Sequence, residues 1–369
     1  MNRNPYLRNI IRSISDKSST IERMDSVTIK ITNECNLNCS MCGYARNRKK
    51  DQILPEELGV SEWKRVIDEL DGLGVTYISV LGGEPLMYPW LTEILEYMKL
   101  KGIQSGITTN GVYLEKHAEQ LIKAGLTRIN VSLDAFPEIH DKIRGVEGTF
   151  AAAVKGIKKI HSLRGNQNSP KIIANIVVSE ENQHILEEYL HYLEQMDEVD
   201  SIFLVLGTFT TPALGERYAK QVKKEFQCEG NSWKGFVDCL GDIDIKKVDR
   251  IYNLIKMNEY KKKVTILPPL PSREDIEKYY RHPEETFKWT EKCCWKPWVG
   301  VDIRANGDVV VCNDWPDYTV GNVRTESMAD IWNGEKIKKI RDFISKGNEF
   351  SVCTRCPWRF LPSFFLADP

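Results

Sequence analysis

The chain has 369 residues, 41% of them hydrophobic and 28% charged, with a net charge of −1. That length supports a sizeable core and two domains, and the near-neutral balance gives no electrostatic case for nucleic acid or an anionic membrane. No apolar run reaches the ~18 residues of a membrane span, residues 1–25 lack the apolar core of a signal peptide, and ten cysteines read as metal ligands in a reducing cytoplasm rather than a disulfide framework.

Residues 1–25 read as a short helix and a linker. From there strand-like and helix-like segments alternate. Val27–Thr32 alternates at period two and predicts the first strand. Ser61–Leu70 predicts an amphipathic helix with Ser61 as its N-cap. Strands follow at Val75–Leu81, Ile103–Thr108, Arg128–Leu133, Lys171–Val178 and Ser201–Leu206. Helices are expected between them at Leu91–Leu100, Leu114–Ala124, Phe150–Leu163 and Ile185–Gln195. Six β–α units argue for an α/β fold with a parallel sheet and helices outside it. A full eight-unit barrel usually needs more than ~200 residues, so six units over 26–206 fit a partial, TIM-like (β/α)6 barrel.

Strand signals fade over 207–292, which reads as a mostly helical linker. From 293 to 369 a small α+β unit is expected. Asn306-Gly307 between two β-rich runs predicts a hairpin, and Met328–Ile344 a helix interrupted at Asn333-Gly334.

Cys35, Cys39 and Cys42 follow the first strand within eight residues. Thiolates are the usual ligands of iron–sulfur clusters, and a four-iron cluster needs four. Three ligands leave one iron open to a group that is not protein. Zinc favours closed four-coordination and remains the alternative. Chemistry in such sheets gathers at the carboxyl ends of strands. Gly82, Gly83, Glu84 and Pro85 end the second strand, Asn110 follows the third, and Ser132 and Asp134 end the fourth. Ser132 and Asp134, two apart, share a face. Their hydroxyl and carboxylate suit a ribose diol, and the guanidinium fork of Arg144 suits a carboxylate.

The C-x-x-x-C-x-x-C spacing resembles the signature of radical S-adenosylmethionine (SAM) enzymes. The resemblance implies a [4Fe–4S] cluster on Cys35, Cys39 and Cys42, with its open iron chelating SAM. It assigns Gly82, Gly83, Glu84 and Pro85 to the methionine end of SAM, places Asn110 beside the cofactor, and sets Tyr44 against adenine. The run from Ser132-Leu-Asp134 to His140-Asp-x-x-Arg144-Gly resembles the branch that carries a C-terminal SPASM or twitch domain. Cys294, Cys312, Cys353 and Cys356 resemble the cysteine pattern of that domain and imply one auxiliary [4Fe–4S] cluster. A zinc ribbon is the alternative there, and the adjacent Cys293 leaves the first ligand ambiguous. Cys228 and Cys239 have no assigned role. A hydrogen-atom donor among the unassigned thiols would make the enzyme an epimerase.

The implied activity is reductive cleavage of SAM to a 5′-deoxyadenosyl radical, which takes a hydrogen atom from the substrate. A small polar substrate (a sugar, aminocyclitol or nucleotide sugar), dehydrogenated or epimerised, is the expectation. Only 25 residues precede the first strand, too few for the leader-binding module that the resemblance associates with peptide maturases. A peptide- or protein-modifying maturase is the alternative. A non-catalytic electron carrier or zinc scaffold is the third. A flavodoxin- or ferredoxin-like electron donor is the expected partner.

Overall fold

Val27 and Ile29 on β1 (Ser26–Lys30) bury one face of the strand, while Thr28 stays part-exposed on the other. The same alternation repeats on β2 (Tyr77–Leu81) and β5 (Lys171–Val177). The apolar face packs against helices, and the opposite face, with Ser79, Thr108, Asn130 and Asn175, is polar and part-exposed. In the computed structural model, which describes residues 21, 23–47, 55–257, 260–287 and 294–356, these strands form one sheet. Most of the expected helix and linker over 1–25 lies outside the described residues, as does Cys293.

Strands β3 (Gln104–Thr109), β4 (Arg128–Ser132) and β6 (Ser201–Val205) continue the parallel run. The sheet does not stop at six. Lys263–Leu267 (β7) pairs in parallel with β6, inside the segment expected to be mostly helical linker. The remaining strands, β8 (Asp302–Ile303), β9 (Asp308–Val310) and β10 (Thr319–Asn322), come from the C-terminal part and run antiparallel to one another. The sheet order is β10-β9-β8-β1-β2-β3-β4-β5-β6-β7, with β10 and β7 as edges, so the barrel is partial and unclosed.

The hairpin turns at Asn306-Gly307, where Gly307 has a φ of 89°, as its sequence demands. It does not stand apart from the barrel. Asp302 and Ile303 pair in parallel with Thr28 and Ile29, and Val301, Ile303, Val309 and Trp332 share one buried cluster with Ile29 and Ile78. The C-terminal cysteines are thereby fixed relative to the first strand and the loop that follows it.

The first long helix runs Val60–Gly72 and starts at Gly59 rather than at Ser61. Glu62 accepts the Gly59 N–H at 2.8 Å, which supplies the cap that Ser61 was expected to give. Leu91–Leu100 and Leu114–Lys123 follow the expected limits closely. The C-terminal helix divides into Met328–Asn333 and Glu335–Ser345 at the expected break. No described helix is long and apolar enough to cross a membrane.

Candidate active site

The loop after β1 is laid against the loop after β2. Gly83 N–H donates to Thr32 O at 2.8 Å and Glu84 N–H to Glu34 O at 2.7 Å. Gly83 has to be glycine there, because a Cβ would stand 2.1 Å from the Glu34 carbonyl oxygen. The segment that ends at Cys35 is thus clamped by Gly83 and Glu84, with Gly82 packed on Thr32 and Pro85 opening a 3-10 turn, Pro85–Met87.

The Glu84 side chain is buried and turns inward. Its Oε1 accepts from Thr109 Oγ1 (2.7 Å) and Leu86 N–H (3.0 Å), and its Oε2 from Asn110 N–H (2.8 Å). Burial pushes its carboxyl upward, opposed by the bonds from Asn110, Thr109 and Leu86. Glu84 therefore stitches the end of β2 to the end of β3. Asn110 in turn donates through Nδ2 to Asn36 Oδ1 at 2.8 Å, inside the cysteine loop. The expected site residues Gly82, Gly83, Glu84, Pro85 and Asn110 are brought together with Cys35, and Asn36 joins them without any signal in its own sequence position.

Cys39 meets the far side of the sheet. Ser40 N–H donates to Ile143 O at 3.0 Å, and Arg144 Nη1 points at Cys39 Sγ from 3.7 Å. Arg144 also donates from Nε to Asp134 Oδ2 at 2.7 Å, with Nη2 at 2.5 Å from the same oxygen. Asp134 is fully buried, and its Oδ1 accepts Val177 N–H. The expectation gave Asp134 to a ribose and Arg144 to a carboxylate of SAM. In the structure the two bind each other, because a buried carboxylate needs a charged partner. Burial pushes the Cys39 thiol up, and the Arg144 guanidinium pulls it back toward thiolate. Ser132 lies beside Asn175 at the end of β4. His140, fully buried, accepts Asp134 N–H on Nδ1 (3.1 Å). Burial drives it down to about 4, so it is a neutral structural acceptor.

Tyr44 leaves the loop on the helix Gly43–Asn47. Its ring covers the Lys30 ammonium at 4.0 Å and meets Phe236 edge-on at 6.3 Å. Burial, then Asp314 and Cys312, push its hydroxyl far above the usual range. Tyr44 thus faces the second group of cysteines. Arg46 fixes this arrangement by donating to Gly235 O (3.1 Å) and Val237 O (2.7 Å). The fit is close enough that a Cβ on Gly235 would sit 2.1 Å from Gly43 O.

In the second group Cys312 follows β9, while Cys353 and Cys356 belong to the 3-10 turn Ser351–Arg355 and its end. Cys312 and Cys353 pack on the small core of Tyr218, Phe236, Trp315 and Val352. Burial, with Asp314 and Cys356 next, raises the Cys312 thiol. Cys294 approaches through Lys296, whose ammonium is bound to Asp302 at 2.7 Å and feels both Cys312 and Cys294. Cys239 is buried between the two groups and donates weakly to Thr208 O and Phe236 O, both at 3.5 Å. Burial pushes its thiol up to about 11. Cys228 is packed at the edge of both apolar clusters. Asp314 was not anticipated. It lies 3.5 Å from Thr208 Oγ1, and burial raises its carboxyl to about 6.

Two thiol-rich donor sets are therefore present, one loop-borne after β1 and one packed on the small C-terminal core. A family model described as the radical SAM superfamily matches residues 29–193, and one described as an iron–sulfur cluster-binding SPASM domain matches 293–357. The chain carries a radical SAM domain followed by a SPASM iron–sulfur domain.

Fe-coproporphyrin III synthase of Methanosarcina barkeri is 39% identical over 132 residues, 36% of this chain and 32% of that protein. The sporulation killing factor maturation protein SkfB of Bacillus subtilis is 25% identical over 317 residues, 86% of this chain and 66% of that protein. The chain thus spans less than two thirds of the length of either relative. SuiB of Streptococcus suis, solved bound to its precursor peptide SuiA, shares the fold with a TM-score of 0.64 and 17% identity, over 93% of this chain and 73% of that one. The radical SAM domain implies SAM and a [4Fe–4S] cluster, and the SPASM domain implies auxiliary iron–sulfur ligation. The donor sets fit both: thiols in sufficient number, with the Arg144 guanidinium directed at Cys39 and the Lys296 ammonium near Cys294 and Cys312.

Proposed function

We propose that this radical SAM enzyme acts on a peptide. The observation that carries the reading is the extent of the SkfB match, which spans 86% of the chain. Relatives named for small-molecule chemistry, the synthase and a GTP 3′,8-cyclase of Methanocaldococcus jannaschii, match over 36% of the chain. The fold shared with SuiB, which was solved bound to a precursor peptide, agrees with this choice. The small polar substrate expected from the sequence has no comparable support.

Cys35, Cys39 and Cys42 are assigned to the SAM-binding cluster, and Cys294, Cys312, Cys353 and Cys356 to an auxiliary one. When bound, cluster and SAM supply hydrogen-atom abstraction from an unactivated C–H bond. The chain's own residues do the placing. Gly83 and Glu84 hold the approach to Cys35, Asn110 fixes Asn36, and Arg144, braced by Asp134, sets positive charge on Cys39. The polar inner face, with Thr108, Asn130 and Asn175, offers hydrogen-bonding groups suited to peptide amides.

The test incubates reconstituted, reduced protein and SAM with a library of 20-residue peptides or with a panel of sugars and nucleotide sugars. A peptide-dependent rise in 5′-deoxyadenosine with a mass change on the peptide is expected. A rise with sugars and none with peptides would overturn the reading.

A further inference from the structure

Arg355 lies inside the Cys353-Thr-Arg-Cys356 turn and is fully buried. A guanidinium has five N–H donors. Here all five reach main-chain carbonyls: Nε to Tyr279 O at 2.6 Å, Nη1 to Glu285 O at 2.9 Å and Thr354 O at 2.8 Å, and Nη2 to Lys278 O at 2.8 Å and to His282 O. Lys278 and Tyr279 are in the last turn of the helix Arg273–Arg281, and His282 caps it. These are the carbonyls that a helix end leaves without partners, at its negative pole. The guanidinium carbon also stands 5.2 Å from the Phe287 ring centroid and 5.5 Å from that of Tyr279.

The contact is reciprocal. Tyr279 Oη donates to Arg355 O at 3.1 Å and to Gly207 O at 2.7 Å, just past the end of β6. One cation therefore ties the C-x-x-C turn to a helix end and, through Tyr279, to the barrel. Packing alone would be met by a neutral side chain. A full charge kept out of water inside the turn that carries two thiols is the feature the inference rests on.

We infer that Arg355 is a positioning residue for the auxiliary cluster, which holds Cys353 and Cys356 in ligating geometry and lends the cluster a buried positive charge. This rests on the assignment of those cysteines to a second cluster. Charge near an iron–sulfur cluster helps set its potential. A nearby cation favours the more negative, reduced form, so its removal lowers the midpoint.

The experiment compares full-length wild type, Arg355→Met and Arg355→Lys after anaerobic reconstitution. It reads iron per chain, the auxiliary cluster's midpoint by EPR-monitored titration, and the SAM-perturbed EPR signal of the N-terminal cluster as a control. Wild type with about eight irons keeps the two-cluster assignment; about four would end that assignment and this inference with it. Given eight, Arg355→Met should lose the auxiliary iron or show a more negative midpoint, with Arg355→Lys close to wild type in both. Wild-type iron and midpoint in Arg355→Met would overturn the inference. Equal loss in both variants would also overturn it, leaving Arg355 a packing staple whose charge has no role.

Discussion

One N–H of Arg144 points at the sulfur of Cys39 across 3.7 Å. The rest of that guanidinium grips Asp134, which is fully buried and further held by Val177 N–H. The cysteine loop is thus electrostatically joined to the end of β4 before any cofactor is bound.

Arg144→Met leaves Asp134 as an unpaired buried charge. Removing one partner of such a pair costs about 3–5 kcal/mol. The apo chain should lose about that much unfolding free energy, read as a lower urea midpoint, and SAM cleavage should fall with it. Urea unfolding of the apo chain checks this; an unchanged midpoint would mean the pair is not closed in solution.

Gly83→Ala places a methyl group 2.1 Å from the Glu34 carbonyl oxygen. The strap must separate from the cysteine loop. Iron at the N-terminal site and 5′-deoxyadenosine release should both drop, while the C-terminal iron stays. Iron counting on this variant with the C-terminal cysteines intact reads the difference.

Glu84→Gln keeps size but turns an amide NH2 toward at least one of three donors, Thr109 Oγ1, Leu86 N–H and Asn110 N–H. A buried donor left unmet costs ~1–3 kcal/mol. Thermal unfolding of the apo chain should show that loss, and Asp134, on another strand end, should be unaffected in its pairing with Arg144.

The predicted alternation carried six strands because each buries an apolar face with regular period. Lys263–Leu267 was not legible: it begins with lysine, its first three residues are not fully buried, and a proline follows it. Asp302–Ile303 is two residues long, and only its partner β1 defines it. In the site, the cysteines and the glycine strap were legible because their spacing is local. The Arg144–Asp134 pair, the approach of Tyr44 to Cys312, and Arg46 bridging to Gly235 are tertiary. Residue type alone suggested cofactor contacts for Asp134 and Arg144; their pairing with each other is set by burial and was not legible.

His140 gives a pH dependence. Its folded value, about 4, lies below its ordinary value near 6.5. The unfolded chain therefore binds the proton first, and stability is retained above pH 6.5 and lost as pH falls toward 4, by about 3 kcal/mol. Asp25, raised to about 7 by burial, acts with the opposite sign over much of the same window. The difference between wild type and His140→Gln isolates the histidine. That difference should vanish between pH 4 and 6.5 if His140 is solvated in solution.

The most direct measurement counts iron and sulfide per chain after anaerobic reconstitution and assays 5′-deoxyadenosine release, in wild type and in a Cys35/Cys39/Cys42→Ala triple variant. Two cysteine-borne clusters require about eight irons in wild type and about four in the variant, with SAM cleavage abolished. About four irons in wild type, or SAM cleavage that survives the triple substitution, would contradict the assignment of the reductive chemistry to the loop after β1.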